Sequence, residues 1–170
     1  MQKRTLRDLP DSALREKRVL VRVDYNVPIE NGRVTDDTRI TATLATLRYL
    51  HERRARVILV SHLGRPKGKW NDEFSLRPAA NRLQELLNLP VHFVPDIVGA
   101  DARLAVGAIK PGEFLLLENV RFLPGEETND SKLSEALGAL ADVYVNDAFG
   151  SAHRAHASTC GVAEVLKRDH

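Results

Sequence analysis

The chain of 170 residues is 43% apolar and 28% charged, which is the composition of a soluble globular protein, and its length indicates one domain, residues 1–170. Its formal net charge of +2 is too small to indicate a nucleic-acid partner, and its single cysteine, Cys160, excludes an internal disulfide framework. Because the amino terminus lacks an apolar signal segment and no apolar run could span a bilayer, we expect a cytoplasmic protein with no membrane partner.

Strand-like apolar runs alternate along the chain with helix-like segments. The predicted strands are Arg18–Val23, Val57–Val60, Val91–Val94, Glu113–Leu117 and Val143–Val145. The first helix is predicted to begin at Thr35 as N-cap, with Asp36 and Asp37 in its first turn and an apolar face of Ile40, Leu44, Leu47 and Leu50. The later predicted helices are Leu76–Leu87, Ala100–Ile109, Ser131–Leu140 and a short segment from Ser158. This order predicts a doubly wound, three-layer α/β/α domain with a mostly parallel, Rossmann-like sheet.

Polar and basic side chains follow several of these strands. Asp24 and Asn26 follow the first strand, His62 and Arg65 the second, Arg121 the fourth and Arg154 the last. Ligands of open parallel sheets bind beyond the carboxyl ends of the strands. We therefore expect segments that are distant in sequence to send these groups to one edge of the sheet.

The first strand carries an arginine in an apolar setting. Strand side chains alternate between faces, so Val21 and Val23 point one way while Arg22, Asp24 and Asn26 point the other. A buried charge is costly unless it is paired, so the pattern indicates either an Arg22–Asp24 ion pair or an anionic ligand. Convergence with the other loops favours the ligand.

Arg39 lies in the opening of the first predicted helix, where the helix dipole disfavours a cation. One interpretation is local pairing with Asp36 or Asp37. The other is an anion that docks at the helix amino terminus, where it would meet both backbone N–H groups and Arg39. The second is slightly favoured.

The segment SHLGRPKGKW is not a nucleotide-binding loop. Only three residues separate Gly64 from Gly68, and Trp70 stands where a Ser or Thr would coordinate magnesium. No GxGxxG follows any predicted strand, so the chain carries no recognisable nucleotide fingerprint. His153 and His156 lack the further Cys or carboxylate that would complete a metal site, and we expect no metal in this chain.

Five motifs together resemble the amino-terminal domain of phosphoglycerate kinase. They are, in order, RVDYNVP, DDTRI, SHLGRPKG, LLLENVRFLPGEE and VNDAFGSAHRAHAST, and the resemblance runs from Leu6 to about Leu166. Enzymes of this family transfer a phosphoryl group between 1,3-bisphosphoglycerate and ADP, giving 3-phosphoglycerate and ATP. The resemblance implies two doubly wound domains in the complete enzyme, of which the first holds the glycerate substrate.

The resemblance also implies roles for individual residues. Asp24 and Asn26 would contact the hydroxyl and carboxyl region of the substrate. The basic patch around the phosphate that is not transferred would consist of Arg22, His62, Arg65, Arg121 and Arg154, with His156 in its outer layer. Arg39 would stabilise charge on the transferring group and is the one catalytic residue that we predict.

The nucleotide-binding carboxyl-terminal domain of the family has no counterpart in this sequence. We therefore expect the chain to bind 3-phosphoglycerate or 1,3-bisphosphoglycerate without catalysing transfer alone, with no cofactor of its own. The complete enzyme, expected to be a monomer, would use magnesium and ATP or ADP on its second domain. The alternative is a stand-alone, non-catalytic anion-binding module.

Overall fold

The computed structural model of the protein describes residues 5–168. Its strands are β1 (Arg18–Val23), β2 (Ile29–Glu30), β3 (Arg33–Val34), β4 (Arg56–Val60), β5 (Val91–Val94), β6 (Phe114–Leu117) and β7 (Val143–Asp147). β2 and β3 form a separate antiparallel hairpin, and the other strands form a parallel sheet in the order β5-β6-β4-β1-β7. All five predicted strands are confirmed, with ends that shift by at most two residues.

Six α-helices connect or follow these strands within residues 5–168. They are α1 (Thr38–Thr41), α2 (Leu44–Glu52), α3 (Arg77–Leu87), α4 (Ala100–Ala108), α5 (Ser131–Gly138) and α6 (Val162–Arg168). A π-helical turn, Ala157–Gly161, leads into α6, which is where the last helix was predicted to begin. In the part of the chain that the structure describes, no helix combines the length and apolar character needed to cross a membrane.

The sheet is covered on both faces, as the pattern of apolar residues predicts. One core contains alternate residues of β1, Val19, Val21 and Val23, together with residues of α2 and α3. The other contains Leu20 of β1 and residues of α4, α5 and α6. Successive side chains of a strand point to opposite faces, so this division is the period of two that the sequence displays. The doubly wound α/β/α prediction is confirmed.

The first predicted helix is in fact two. α1 ends at Thr41, and α2 begins at Leu44, so the expected continuous helix from Thr35 is wrong. The break coincides with Thr43, whose hydroxyl donates to the Ile40 carbonyl at 2.7 Å and also pairs with the buried Tyr25 hydroxyl at 2.8 Å. A Thr side chain that bonds to the backbone competes with the helical pattern and interrupts it.

The second core is packed tightly around Gly161 but not around Gly107. A Cβ on Gly161 would lie 2.6 Å from Asn129 Oδ1 and would collide with Ser134 Oγ, whereas a Cβ on Gly107 in α4 would meet no atom within 4 Å. We expect Gly161→Ala to lower the free energy of unfolding by about 1–3 kcal/mol because of overpacking. Gly107→Ala, the matched control, should raise it by about 0.5–1 kcal/mol through helix propensity.

Urea unfolding of the two variants, followed by circular dichroism, measures both changes. A Gly161→Ala midpoint equal to that of the unmodified chain would contradict the packing around the π-helical turn.

Candidate functional site

The carboxyl ends of four neighbouring strands lie at one level. Arg22 of β1 is in register with Val60 of β4 and with Asn146 of β7, and Leu59 of β4 is in register with Leu116 of β6. The loops that follow these strands carry all the predicted site residues except Arg22, which lies in β1, and Arg39, which lies in α1. Parallel pairing therefore gathers the predicted groups at one edge of the sheet.

Arg22 is fully buried, and each of its nitrogens meets an acceptor inside the protein. Nε donates to Ser158 Oγ at 2.8 Å, Nη2 donates to His62 Nδ1 at 2.9 Å, and Nη1 donates to the carbonyl of Val23. Asp24 forms its ion pair elsewhere, so the alternative of an Arg22–Asp24 pair is wrong. Burial lowers the pKa of the Arg22 guanidinium, and the charge of Glu126 opposes that shift.

Glu126 supplies an anion to this buried arginine from within the fold. The side chain is fully buried, with Oε2 accepting from the Ser158 N–H at 3.0 Å and Oε1 from the Ser158 hydroxyl at 2.5 Å. One hydroxyl group thus separates its carboxylate from the Arg22 guanidinium. Sequence reasoning missed Glu126 and Ser158, because nothing local indicates that residues so far from β1 in sequence would balance its charge.

His62 is 6% exposed and lies among positive charges. Burial, followed by the charges of Arg22, Arg121 and Arg154, lowers the pKa of His62 to about 2. The ring is therefore neutral at physiological pH. Arginine only donates, so Nδ1 of His62 must accept from Arg22 and the ring proton must be on Nε2.

Gly64 is held between the loops that follow β1 and β6. Its N–H donates to Asn26 Oδ1 at 2.9 Å, and its carbonyl accepts from Arg121 Nη1 at 2.9 Å. Its φ of +60° is in the left-handed region, and an added Cβ would collide with the Phe74 ring, so only glycine suits this position. These contacts fix the backbone immediately before Arg65.

Two buried polar residues after β6 brace the same loop. Asn119 donates from Nδ2 to the carbonyl of Leu63 at 2.7 Å, and its Oδ1 accepts from the Leu63 N–H at 3.2 Å. Glu118 accepts at Oε1 from the Leu76 N–H at 2.8 Å and at Oε2 from the Ser75 hydroxyl at 2.7 Å. Neither role was predicted, although polar residues directly after an apolar run were the available signal.

Arg39 reaches across to the loop after β1. Its Nη1 lies 3.1 Å from Asp24 Oδ1 and 3.1 Å from the carbonyl of Asn26, and its side chain is 52% exposed. Asp37 pairs instead with Arg82 at 2.7 Å and Asp36 accepts from Thr38, so Arg39 forms no ion pair with either carboxylate, although its charge helps to lower the pKa of Asp36. Because α1 has only four residues, the helix dipole contributes little at Arg39.

Arg65 and Arg154 are exposed, and their guanidinium groups have no hydrogen-bond or ion-pair partner within residues 5–168. Arg121 is 4% exposed, and its Nε lies 3.8 Å from Glu127 Oε1, beyond hydrogen-bonding range. Burial lowers the pKa of Arg121; the charge of Glu127 opposes this shift, and Arg154 adds to it. The edge thus presents more positive charge than its own carboxylates balance, and this arrangement can hold a multiply charged anion.

The same edge offers no cage for a metal ion. Between Thr5 and Arg168, no three His, Cys, Asp or Glu side chains are grouped so that they could hold one. The donors that remain open belong to arginines, to Nε2 of His62 and to the Asn26 amide. Such groups suit oxygen atoms of phosphate and carboxylate groups.

Comparison with known proteins identifies a single family. The family model described as phosphoglycerate kinase matches residues 9–169. A phosphoglycerate kinase of Moorella thermoacetica is 61% identical over 166 residues, and one of Synechococcus elongatus is 59% identical over 167 residues. Each match covers 98% of this chain but only 42% of the relative, so the chain spans about 42% of the length of these curated relatives.

Solved structures of the same name share the fold. Phosphoglycerate kinase of Coxiella burnetii is 43% identical with a TM-score of 0.84, and the alignment covers 95% of this chain and 39% of that one. The enzyme of Pyrococcus horikoshii is 32% identical with a TM-score of 0.83, and the alignment covers 96% and 43%. Given these matches and the family model over residues 9–169, the chain belongs to the phosphoglycerate kinase family.

Proposed function

We propose that this chain is the substrate-binding half of a phosphoglycerate kinase and that it binds 3-phosphoglycerate at the carboxyl edge of its sheet. The observation that carries the proposal is the excess of positive charge where four strands end, with Arg65 and Arg154 exposed and unpaired within residues 5–168. A small ligand with a phosphate and a carboxylate matches that charge. Family membership supports the same substrate class.

In this proposal the phosphate of 3-phosphoglycerate meets Arg65, Arg121 and Arg154, whose forked N–H groups match phosphate oxygens. His62 donates one further hydrogen bond from Nε2. Arg22 does not contact the ligand, since it is fully buried and its N–H groups are already bonded. It acts by donating a hydrogen bond to Nδ1 of His62. Arg65 and Arg154 can bind the phosphate without breaking a contact within residues 5–168.

The hydroxyl and carboxyl groups of the glycerate meet Asp24 and Asn26. Asn26 Oδ1 is occupied by the Gly64 N–H, so its Nδ2 is the atom left to donate to the ligand. Arg39 is held by Asp24 and the carbonyl of Asn26, and it turns to the acyl phosphate when that group is present. Phosphoryl transfer needs positioning and charge stabilisation, and this arrangement supplies both on the acceptor side.

The donor side lies outside these residues in our proposal. The relatives are more than twice as long, and they carry the name of a kinase. A second domain would bring ADP or ATP together with magnesium, and the magnesium ion would shield the charge of the transferring phosphoryl group. The chain alone then binds its substrate but does not turn it over, and it acts as part of a cytoplasmic enzyme.

Calorimetric titration of the chain with 3-phosphoglycerate tests the binding role. We expect binding that weakens with added salt, and a Kd that rises about tenfold in Arg65→Ala, since one charge-assisted phosphate contact is worth roughly 1.5–3 kcal/mol. Lys110→Ala is the matched control, because this substitution removes the same charge from an exposed residue near the opposite end of β6. Its Kd should stay within twofold of the unmodified value.

Two results would count against the proposal. Equal losses in Arg65→Ala and Lys110→Ala would mean that net charge, rather than a built site, attracts the ligand. Appreciable ATP formation by the chain alone, in a coupled assay with 1,3-bisphosphoglycerate and ADP, would show that the donor site is not missing.

A further inference from the structure

Four buried side chains form one line of hydrogen bonds from Glu126 to His62. Glu126, Ser158 and Arg22 are fully buried, and His62 is 6% exposed. The successive contacts are 2.5 Å from Ser158 Oγ to Glu126 Oε1, 2.8 Å from Arg22 Nε to Ser158 Oγ, and 2.9 Å from Arg22 Nη2 to His62 Nδ1. The line joins four segments: the loop before α5, the π-helical turn, the end of β1 and the loop after β4.

The donors and acceptors along this line are determined by chemistry. Arginine can only donate, so the Ser158 oxygen accepts from Arg22 and its single hydroxyl hydrogen is free to point to Glu126. A second contact, from the Ser158 N–H to Glu126 Oε2 at 3.0 Å, aligns the carboxylate with that hydroxyl. At the far end, His62 Nδ1 accepts, and the proton of the neutral ring is on Nε2.

Nε2 of His62 is the open end of the line. This nitrogen has no hydrogen-bond partner within residues 5–168. It is also not buried, so a ligand can reach it. Rotation of the Arg22 guanidinium would remove the donor at Nδ1 and free the ring to take its other tautomer. That tautomer would present an acceptor, rather than a donor, to an anion.

We infer that Glu126 is a positioning residue for the anion site: through Ser158 and Arg22 it holds His62 in the tautomer whose Nε2–H donates to the bound phosphate. Glu126 is too deep to touch the ligand, so its effect is transmitted by Ser158 and Arg22. The identity of the ligand rests on the proposed function above. The hydrogen-bonded line itself does not, because it is complete without a ligand.

NMR of the imidazole ¹⁵N nuclei in the 170-residue chain tests this assignment. In the unmodified chain we expect the His62 signals of a neutral ring with the proton on Nε2. In Glu126→Gln and in Ser158→Ala the two ¹⁵N shifts should move toward each other as the second tautomer becomes populated. The matched control is Glu135→Gln, which removes the same charge from an exposed position of α5.

Titration of the same four proteins with 3-phosphoglycerate and with inorganic phosphate gives the second readout. The Kd of both ligands should rise about tenfold in Glu126→Gln, and at least threefold in Ser158→Ala, because the histidine no longer presents a fixed donor. Glu135→Gln should keep both the ¹⁵N pattern and the Kd of the unmodified chain. A merely structural role for Glu126 would lower thermal stability and leave the tautomer alone.

The inference is overturned if Glu126→Gln and Ser158→Ala keep the unmodified His62 pattern, whether or not ligand affinity changes. Should Glu126→Gln fail to fold, Ser158→Ala decides, because it keeps both charges and removes only the connecting hydroxyl. If the unmodified chain binds neither ligand, the proposed function fails. The ¹⁵N pattern would then still show whether Glu126, through Ser158 and Arg22, sets the tautomer of His62.

Discussion

Replacing Arg22 with methionine should lower the free energy of unfolding of the chain by about 3–5 kcal/mol. The reason is the carboxylate left behind: Glu126 is fully buried, and Arg22 is the positive charge that lies one hydroxyl away from it. For a domain of this size we expect the melting temperature to fall by roughly 6–20 °C. Thermal and urea unfolding measure the loss.

Two comparisons isolate the buried charge. Arg18→Met on the same strand removes a half-exposed arginine that pairs with Asp142 at 2.8 Å, and it should cost only about 1 kcal/mol. The double variant Arg22→Met/Glu126→Gln should recover much of the stability, since it removes both charges together. If the double variant were as unstable as the sum of the single ones, the pair would not interact.

Arg39→Ala should reduce kcat by about a thousandfold or more in a protein that joins this chain to the carboxyl-terminal part of the Moorella thermoacetica relative. This prediction rests on the proposed function. Arg39 is half-exposed and contributes to the fold mainly one ion pair with Asp24, so the loss should fall on transition-state charge rather than on stability. Steady-state kinetics should show a smaller effect, below about tenfold, on the binding of 3-phosphoglycerate.

Arg33→Ala is the control for this experiment. Arg33 is exposed on the neighbouring hairpin and carries the same charge, so its removal should leave kcat within twofold of the unmodified value. A drop of several degrees in the melting temperature of Arg39→Ala would instead identify Arg39 as a structural residue. Equal losses in the two variants would point to the overall charge of this end of the protein.

Much of the fold follows from local pattern. The alternation of Val19, Val21 and Val23 with Leu20 and Arg22 predicts a strand with two buried faces, and the structure places these two sets on opposite faces of the sheet. Parallel strands that end at one level then bring the predicted polar groups together. This part is predictable because side-chain period and crossover connection are properties of short segments.

The local breaks were harder to predict. The hairpin of β2 and β3 turns at Asn31 and Gly32, which both have positive φ, and the Asn-Gly pair was an available signal that we did not use. The interruption between α1 and α2 is of another kind. It coincides with Thr43, whose hydroxyl bonds both to the nearby Ile40 carbonyl and to the buried Tyr25, 18 residues away; no local pattern contains the second contact.

The partner of the buried arginine was beyond sequence reasoning for the same reason. The apolar surroundings of Arg22 indicate that its charge needs an anion, but the favoured source was a bound ligand, whereas the structure supplies the buried Glu126. Ser158 is 136 residues away in sequence, and Glu126 is reached only through it. Pairs of this kind follow from tertiary packing, whereas the tendency of a segment to form a strand is local.

The order of the strands has a consequence for synthesis on the ribosome. β1 is made first, yet one of its two neighbours in the sheet is β7. Arg22 of β1 likewise has no Ser158 to bond to until that residue has been made. At a translation rate of 5–20 residues per second, the 136 residues between the two take roughly 7–27 s to make. A nascent chain thus carries an open strand edge beside an unbalanced charge until Ser158 has been translated, and the sheet and the anion site are completed by the same segment.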